Sequence, residues 1–170
     1  RLKFHEPRTS TDAIARRYRL LGPRTTVSTA CASGSMAIAT AADWLNAGLC
    51  DVVLAGGVDS LTRLTLNGFC SLLAVAKDGC RPFDRDRAGM SLGEGAAVLV
   101  LQRLDEARRK GVEILAELRG WASTCDSYHA TAPHPDGDGI VRAMETALLA
   151  ASLVPAQVDY VNAHGTGTRD

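Results

Sequence analysis

The sequence lacks a charge excess of either sign and lacks any long apolar run. Its 19 Lys and Arg residues balance 19 Asp and Glu residues, so it carries no net basic charge with which to attract nucleic acid or an anionic membrane. The longest apolar runs, such as residues 96–101, are far too short to span a bilayer. We therefore expect neither a nucleic-acid partner nor a membrane partner.

The sequence also lacks closely paired cysteines. Five cysteines are scattered along the chain, at positions 31, 50, 70, 80 and 125, and none forms a C-x-x-C pair. Neither a zinc site nor a disulfide framework is indicated, and we predict no metal. No signal peptide is visible, which favours a reducing, cytoplasmic setting. The chain begins at Arg1 and ends abruptly at Asp170, so we expect it to be a piece of a longer protein.

Strand-like and helix-like segments alternate along the chain, which predicts an α/β protein with a largely parallel sheet. β-branched and apolar runs predict strands over residues 25–30, 51–57, 96–101, 113–119 and 158–162. Apolar periodicity predicts helices over residues 13–21, 36–46, 104–110 and 140–152. Continuously apolar strands, such as 96–101, are typical of sheets covered on both faces.

Cys31 lies between a predicted strand and a predicted helix, on a tight turn just before the first helical turn. Unpaired N–H groups and the positive end of a helix dipole favour the thiolate form there. Its small neighbours would let a substrate carbonyl approach the sulfur and the backbone amides. The geometry is similar to the elbow that presents a serine in α/β-hydrolases. From this stretch alone, a nucleophile and a small inert core cysteine both remain open.

His164 lies on a glycine-rich loop that follows the predicted strand 158–162. Functional sites of open α/β sheets gather outside the carboxyl ends of strands, where Cys31 is also expected. A cysteine and a histidine on two such loops can form a nucleophile–base pair. The alternative is a loop histidine that bonds the backbone. For the other four cysteines we expect buried or unactivated surroundings.

Five segments resemble features of the β-ketoacyl synthases, and four of them are family signatures in the right order. Residues 27–34 (VSTACASG) are similar to the nucleophile motif, and residues 162–168 (NAHGTGT) to the first active-site histidine motif. Residues 80–84 (CRPFD) and 93–96 (GEGA) resemble the two intervening signatures. Residues 126–131 (DSYHAT) resemble a mobile active-site loop of the elongating fatty-acid enzymes. The resemblance covers nearly the whole chain.

This resemblance implies a thiolase-like layered αβαβα fold made of two related α/β halves, of which the chain holds an incomplete central part. Residues 1–103 would form the later part of the N-terminal ketosynthase half, with the nucleophile elbow. Residues 104–170 would start the C-terminal half, with the first active-site histidine. The second histidine, a lysine and the oxyanion-hole loop would lie beyond Asp170. We therefore expect this fragment alone to be inactive.

The implied activity is that of a β-ketoacyl-[acyl-carrier-protein] synthase, an acyltransferase of fatty-acid or polyketide biosynthesis. Cys31 would hold the acyl group as a thioester, and His164 would stabilise the enolate formed when malonyl-carrier protein loses carbon dioxide. The substrate-binding residues implied are Thr131, Thr166, Thr168 and Phe69. Phe69 would line the acyl pocket or serve as plain core. Glu94 would hold a turn by accepting backbone N–H bonds.

The resemblance implies no metal or redox cofactor, because substrates arrive on the phosphopantetheine of an acyl carrier protein. That carrier is the expected partner, beside a second ketosynthase-type subunit in a homodimer or heterodimer. Two alternatives stay open: a thiolase-like acyltransferase using coenzyme A, and a non-catalytic subunit that shapes chain length. The motif around His164 favours a synthase over the first, and Cys31 argues against the second. The choice between the fatty-acid and polyketide pathways stays open.

Overall fold

The structure is a computed structural model that describes residues 8–129 and 132–169. The chain divides into two compact units. The first unit is drawn from Arg1–Val58 and Ala96–Arg119, and the second from Asp59–Gly95 and Gly120–Asp170. The chain therefore leaves the first unit after Val58, returns to it at Ala96, and leaves it again after Arg119.

Helices and strands are mixed along the described residues, as predicted for an α/β chain. In chain order they are α1 (Arg8–Tyr18), α2 (Ser33–Asn46), β1 (Val52–Asp59), α3 (Arg63–Ser71), β2 (Gly95–Gln102), α4 (Leu104–Lys110) and α5 (Asp138–Ala151). A short 3₁₀ turn, Pro155–Gln157, follows α5. No helix of the described part is long and apolar enough to cross a bilayer.

Helices α2, α4 and α5 follow the predictions closely because their signals are local. The prediction is wrong for α1, which begins five residues before the predicted range 13–21 and ends three residues before its end, because Arg19 already has left-handed backbone with φ of 53°. Helix α4 has the predicted bounds, with acidic residues in its first turn and basic residues in its last, as the helix dipole favours. It ends at Gly111, whose φ of 64° is the left-handed conformation that glycine adopts readily. Helix α2 begins three residues before the predicted start at Met36, and α5 two residues before Ile140.

Helix α3 was not predicted, because the apolar residues of 61–76 follow no single period. Its start is marked instead by a cap. The side chain of Thr62 accepts a hydrogen bond from the backbone N–H of Thr65 at 3.1 Å. A threonine at this position satisfies one of the N–H groups that a helix leaves open at its start.

Strands β1 and β2 pair in a two-stranded sheet. They approach closely at Gly56, where a Cβ atom would collide with the carbonyl oxygen of Ala97 and lie 2.8 Å from Cα of Val98. The neighbouring Gly57 has room, since a Cβ atom there would meet only Cα of Gly34, at 3.9 Å. Of this glycine pair, only Gly56 therefore lies where the backbone of β2 leaves no room for a side chain.

Three predicted strands are wrong for the described structure. Residues 25–30, 113–119 and 158–162 run outside any named strand, although an isolated bridge links Thr29 to Cys31. A strand exists only with a partner, and no ladder joins these segments to another described segment. Their β-branched residues express a preference for extended backbone and do not supply the partner.

Burial on both faces is also wrong for β2. Its central residues are about half exposed, with Val98 at 49% and Val100 at 64%. Only one described strand pairs with β2, so its apolar side chains lack the covering layers that their pattern predicts.

The buried apolar core of the described residues consists of alanines and one leucine. The buried apolar residues are Ala15, Ala39, Ala41, Ala42, Leu45, Ala55, Ala107 and Ala151. Helix α2 supplies four of them, and three of those four lie on the apolar face predicted for this helix. In the second unit, Gly120 lies against α5, where a Cβ atom would be 2.9 Å from the amide nitrogen of Ala151.

Candidate active-site turn and histidine loop

Cys31 lies on a tight turn immediately before helix α2. The N–H of Ala32 donates to the carbonyl of Thr29 at 3.2 Å, and the N–H of Ser33 donates to the carbonyl of Ala30 at 3.0 Å. Ala30 has a left-handed φ of 50°, which is uncommon for a residue with a side chain. The predicted tight turn is present, and the Cys31 side chain is exposed on it.

The hydroxyl of Ser33 holds this turn with two hydrogen bonds. It donates to the carbonyl of Ala30 at 2.7 Å and accepts from the N–H of Thr29 at 2.8 Å. Left-handed backbone at a non-glycine residue costs about 1–3 kcal/mol and persists where surrounding contacts determine it. Ser33 provides such contacts for Ala30. The sequence predicts only small residues beside Cys31 and gives no sign of this role of the Ser33 hydroxyl.

His164 lies on the histidine loop, which we define as residues 163–169. Two glycines of this loop have left-handed backbone, with φ of 54° at Gly165 and 76° at Gly167. Gly167 is buried, and a Cβ atom there would lie 2.7 Å from the carbonyl oxygen of Gly89. The His164 side chain is exposed. The loop therefore needs glycine both for its conformation and for its close packing.

The two threonines of the histidine loop contact each other. The hydroxyls of Thr166 and Thr168 are 2.7 Å apart, and the N–H of Thr168 donates to the hydroxyl of Thr166 at 3.3 Å. Both residues are half-buried. Their side chains thus form one hydrogen-bonded pair two residues beyond His164.

Cys31 belongs to the first compact unit and His164 to the second. The exposed thiol before a 14-residue helix and the exposed imidazole on a glycine-rich loop are present as expected, whereas the strands expected to precede Cys31 and His164 are not. The pairing of Cys31 with His164 stays a prediction.

Comparison with known proteins decides the family. Residues 9–107 match the model of the β-ketoacyl synthase N-terminal domain, and residues 115–170 match that of the β-ketoacyl synthase C-terminal domain. The chain belongs to the β-ketoacyl synthase family. The predicted family is confirmed, and the division of the chain at residue 103 stays a prediction.

Relatives of this β-ketoacyl synthase chain are considerably longer than it is. It is 40% identical over 163 residues to 3-oxoacyl-[acyl-carrier-protein] synthase 2 of Rhizobium meliloti, covering 91% of this chain and 39% of that protein. It is 42% identical over 154 residues to the protein of the same name from Synechocystis, covering 86% of this chain and 37% of the relative. The chain thus spans well under half the length of these curated relatives.

Solved ketosynthases share its fold. The complex AntDE:AntF, a type II PKS acyl-carrier protein with its ketosynthase bound to the hexaketide, superimposes with a TM-score of 0.93 at 30% identity, covering 98% of this chain and 43% of that one. The ketosynthase ApeO in complex with its chain length factor ApeC, from Xenorhabdus doucetiae, gives 0.85 at 38% identity, covering 93% and 38%. The predicted partial thiolase-like fold is confirmed.

The remaining predicted site residues of this ketosynthase chain lie on separate elements. Phe69 is half-buried on α3, so an acyl-pocket role and a core role both stay predictions. Thr131 lies outside the described residues. Glu94 accepts a hydrogen bond from the N–H of Leu61 at 3.2 Å, which confirms the predicted role of this carboxylate as a backbone acceptor.

The expectation of unactivated surroundings is wrong for Cys125. This thiol is exposed, and the hydroxyl of Ser127 lies 3.5 Å from its sulfur. Hydrogen bonds from the side chain and backbone of Ser127 lower the pKa of Cys125. They do so because they stabilise the thiolate more than the thiol. The pattern C-x-S carried this signal, since a hydroxyl two residues away can reach the sulfur.

The segment made of residues 124–129 and 132–137 forms hydrogen bonds within itself and with the start of α5. The hydroxyl of Thr124 donates to the carbonyl of Gly139 at 2.7 Å, and the carboxylate of Asp126 accepts from the N–H of His134 at 2.9 Å. The guanidinium of Arg142 donates to the carbonyl of Cys125 at 3.1 Å. Together with α5 the segment borders an open groove of about 940 Å³. Among the described residues, no group of three His, Cys, Asp or Glu side chains could hold a metal ion.

Proposed function

We propose that the protein carrying this chain is a β-ketoacyl-[acyl-carrier-protein] synthase. One observation carries the proposal: the exposed Cys31 on a tight turn at the head of α2, in a chain 40% identical to a 3-oxoacyl-[acyl-carrier-protein] synthase 2. A thiol at this place has open backbone N–H groups of the helix start beside it. This favours a nucleophile over an inert core cysteine.

In the first half-reaction, the sulfur of Cys31 attacks the carbonyl carbon of an acyl group held on a carrier protein. A new C–S bond forms at Cys31 as the bond to the pantetheine sulfur breaks, and the carrier leaves as a thiol. The developing negative charge on the carbonyl oxygen needs donors aimed at it, and the backbone N–H of Cys31 would be one of them.

In the second half-reaction, the imidazole of His164 donates a hydrogen bond to the thioester carbonyl of malonyl-carrier protein. The bond to the terminal carboxylate breaks, carbon dioxide leaves, and its electron pair forms an enolate that His164 stabilises. The enolate carbon then attacks the thioester at Cys31 and releases the thiolate. The product is a 3-oxoacyl group two carbons longer.

Four further residues would contact the substrates. The hydroxyls of Thr166 and Thr168, already paired at 2.7 Å, would bind the pantetheine arm, and Thr131 would contact it near its entry. Phe69 would line the acyl pocket. The reaction needs no cofactor beyond the phosphopantetheine of the carrier protein, because all its electrons come from the C–C bond that breaks.

The proposed partners are an acyl carrier protein and a second ketosynthase-type subunit. Support comes from the similar structures, one a ketosynthase with its acyl-carrier protein and one a ketosynthase with its chain length factor. A homodimer and a heterodimer both fit this proposal. The exposed Cys31 argues against a non-catalytic subunit, and the NAHGTGT motif argues against a thiolase-like enzyme that uses coenzyme A.

Acyl transfer to Cys31 tests the proposal. The full-length protein is incubated with an acyl-loaded carrier protein, digested, and mapped by mass spectrometry. We expect the acyl mass on the peptide that contains Cys31 and its loss in Cys31→Ala. Cys70→Ala is the matched control, because Cys70 is also exposed, and it should stay acylated. An acyl group on another cysteine, or one that survives in Cys31→Ala, would refute the assignment.

A further inference from the structure

Four consecutive carbonyl groups of the histidine loop accept hydrogen bonds from one segment, residues 80–89. The donor–acceptor pairs, with distances, are Cys80 Sγ to Thr166 (3.1 Å), Gly89 N–H to Gly167 (2.9 Å), Arg87 Nε to Thr168 (2.7 Å) and an Arg87 terminal nitrogen to Arg169 (3.3 Å). All lie within the second compact unit. Successive carbonyls of an extended chain point to opposite sides, so this arrangement depends on the left-handed glycines of the loop.

Arg87 makes two of these four contacts. Along one edge of its guanidinium, Nε donates to the carbonyl of Thr168 and one terminal nitrogen donates to the carbonyl of Arg169. The other terminal nitrogen donates to the carbonyl of Asp84 at 3.2 Å. Nε of the Arg169 side chain in turn donates a hydrogen bond to the carbonyl of Arg87 at 3.3 Å. Hydrogen bonds from a charged donor are stronger than neutral ones. The bonds of Arg87 to the carbonyls of Thr168 and Asp84 are part-buried, which limits competition from water.

The segment that carries Arg87 is itself well held. The carboxylate of Asp84 accepts from the N–H of Asp86 at 2.6 Å, and the N–H of Asp84 donates to the carbonyl of Arg81 at 3.2 Å. Gly89 is buried beside the histidine loop, and a Cβ atom added to Gly167 would lie 2.7 Å from the carbonyl oxygen of Gly89. A guanidinium anchored on such a turn holds the loop at a fixed distance.

We propose that Arg87 is a positioning residue for the histidine loop. It fixes the carbonyls of Thr168 and Arg169, and through them it holds His164 and the paired hydroxyls of Thr166 and Thr168 where the malonyl thioester binds. The inference rests on the proposed synthase function. Displacement of a catalytic group by about 1 Å costs about 100-fold in rate. Loss of Arg87 should therefore weaken the half-reaction that needs His164 and spare the one that needs Cys31.

The experiment compares variants of the full-length protein in both half-reactions. Arg87→Ala should lower malonyl-carrier-protein decarboxylation about 100-fold while acyl transfer to Cys31 stays within about twofold of the wild type. Arg87→Lys should recover part of the rate, since an ammonium can reach one of the two carbonyls but cannot serve as a fork. Arg85→Ala is the matched control, because it removes the same positive charge from a side chain that is 94% exposed. It should match the wild type in both half-reactions.

The outcomes separate this inference from the proposed function. A wild-type protein that performs neither half-reaction refutes the proposed function, and the role of Arg87 falls with it. An active wild type with normal decarboxylation in Arg87→Ala refutes the inference alone. Equal losses in both half-reactions also refute it, because they would make Arg87 a general structural residue. Should Arg87→Ala fail to fold, Arg87→Gln, which keeps one amide donor, replaces it under the same criteria.

Discussion

Ser33 shows how much of the cysteine turn depends on one small hydroxyl. It accepts a hydrogen bond from the N–H of Thr29 and donates one to the carbonyl of Ala30. These two bonds hold the backbone on either side of Ala30, which has the left-handed φ. The side chain of Cys31 is exposed on this turn, and the side-chain hydrogen bonds that hold it come from Ser33. The placement of the thiol is therefore a property of its neighbours.

Cys125 also has a serine hydroxyl beside it, and this hydroxyl affects the protonation of the thiol. The hydrogen bond from Ser127 lowers the pKa of the Cys125 thiol. The thiolate is the form that reacts with alkylating agents, so the lowered pKa extends the reactivity of Cys125 towards neutral pH. Selective alkylation is for this reason a poor test of Cys31, and acyl transfer is the better one.

We predict that Ser127→Ala raises the pH midpoint of Cys125 alkylation. The variant removes the hydroxyl that stabilises the thiolate, so the sulfur holds its proton to higher pH. Iodoacetamide labelling rates, followed by peptide mass spectrometry across the alkaline range, measure the midpoint. Ser71→Ala is the control, because the Ser71 hydroxyl donates to the carbonyl of Gly68 and is expected to leave Cys125 unaffected. An unchanged midpoint in Ser127→Ala would show that the hydrogen bond does not form in solution.

At the scale of elements, the pairing of β1 with β2 depends on Gly56. A Cβ atom there would collide with the carbonyl of Ala97, whereas one at Gly57 would meet only an ordinary contact. Since the obstacle is backbone, it cannot rotate away as a flexible side chain would. The two adjacent glycines thus differ in what they tolerate.

We predict that Gly56→Ala destabilises the full-length protein by about 1–3 kcal/mol, the usual cost of inserting a methyl group into closely packed structure. Gly57→Ala should cost less than about 1 kcal/mol, because the added methyl meets nothing closer than 3.9 Å. Urea unfolding followed by circular dichroism gives both values. Equal losses in the two variants would mean that the strands do not approach at Gly56.

The elements also show where sequence reasoning reaches its limit. Helix α4 could be placed to the residue, because its charges and its closing Gly111 are all local signals. Residues 113–119 have an equally clear alternating pattern, yet they form no strand in the described structure. The alternation of apolar and polar residues indicates which face of a segment could be buried, but it does not indicate which other segment pairs with it to form a strand. Helix α3 escaped prediction because its signal, the cap at Thr62, is a single residue.

At the scale of the whole molecule, the family and the local geometry at Cys31 and His164 could be predicted from motifs. The contacts of Arg87 with the histidine loop could not be predicted from motifs, because Arg87 is separated along the chain from Thr168 by 81 positions and from Arg169 by 82. The pairing of Cys31 with His164 depends on how the two halves of the protein meet. That relation is non-local, and no motif encodes it.

The central claim is that Cys31 and His164 serve one condensation reaction in separable steps. The most direct test is malonyl-carrier-protein decarboxylation, measured as released carbon dioxide, beside acyl transfer, measured as mass on Cys31. In full-length His164→Ala we predict decarboxylation about 10²–10³-fold below wild type, with acyl transfer largely intact. His134→Ala, a histidine outside the proposed site, should retain both activities. Normal decarboxylation in His164→Ala would contradict the account, because His164 would then be only a structural loop residue.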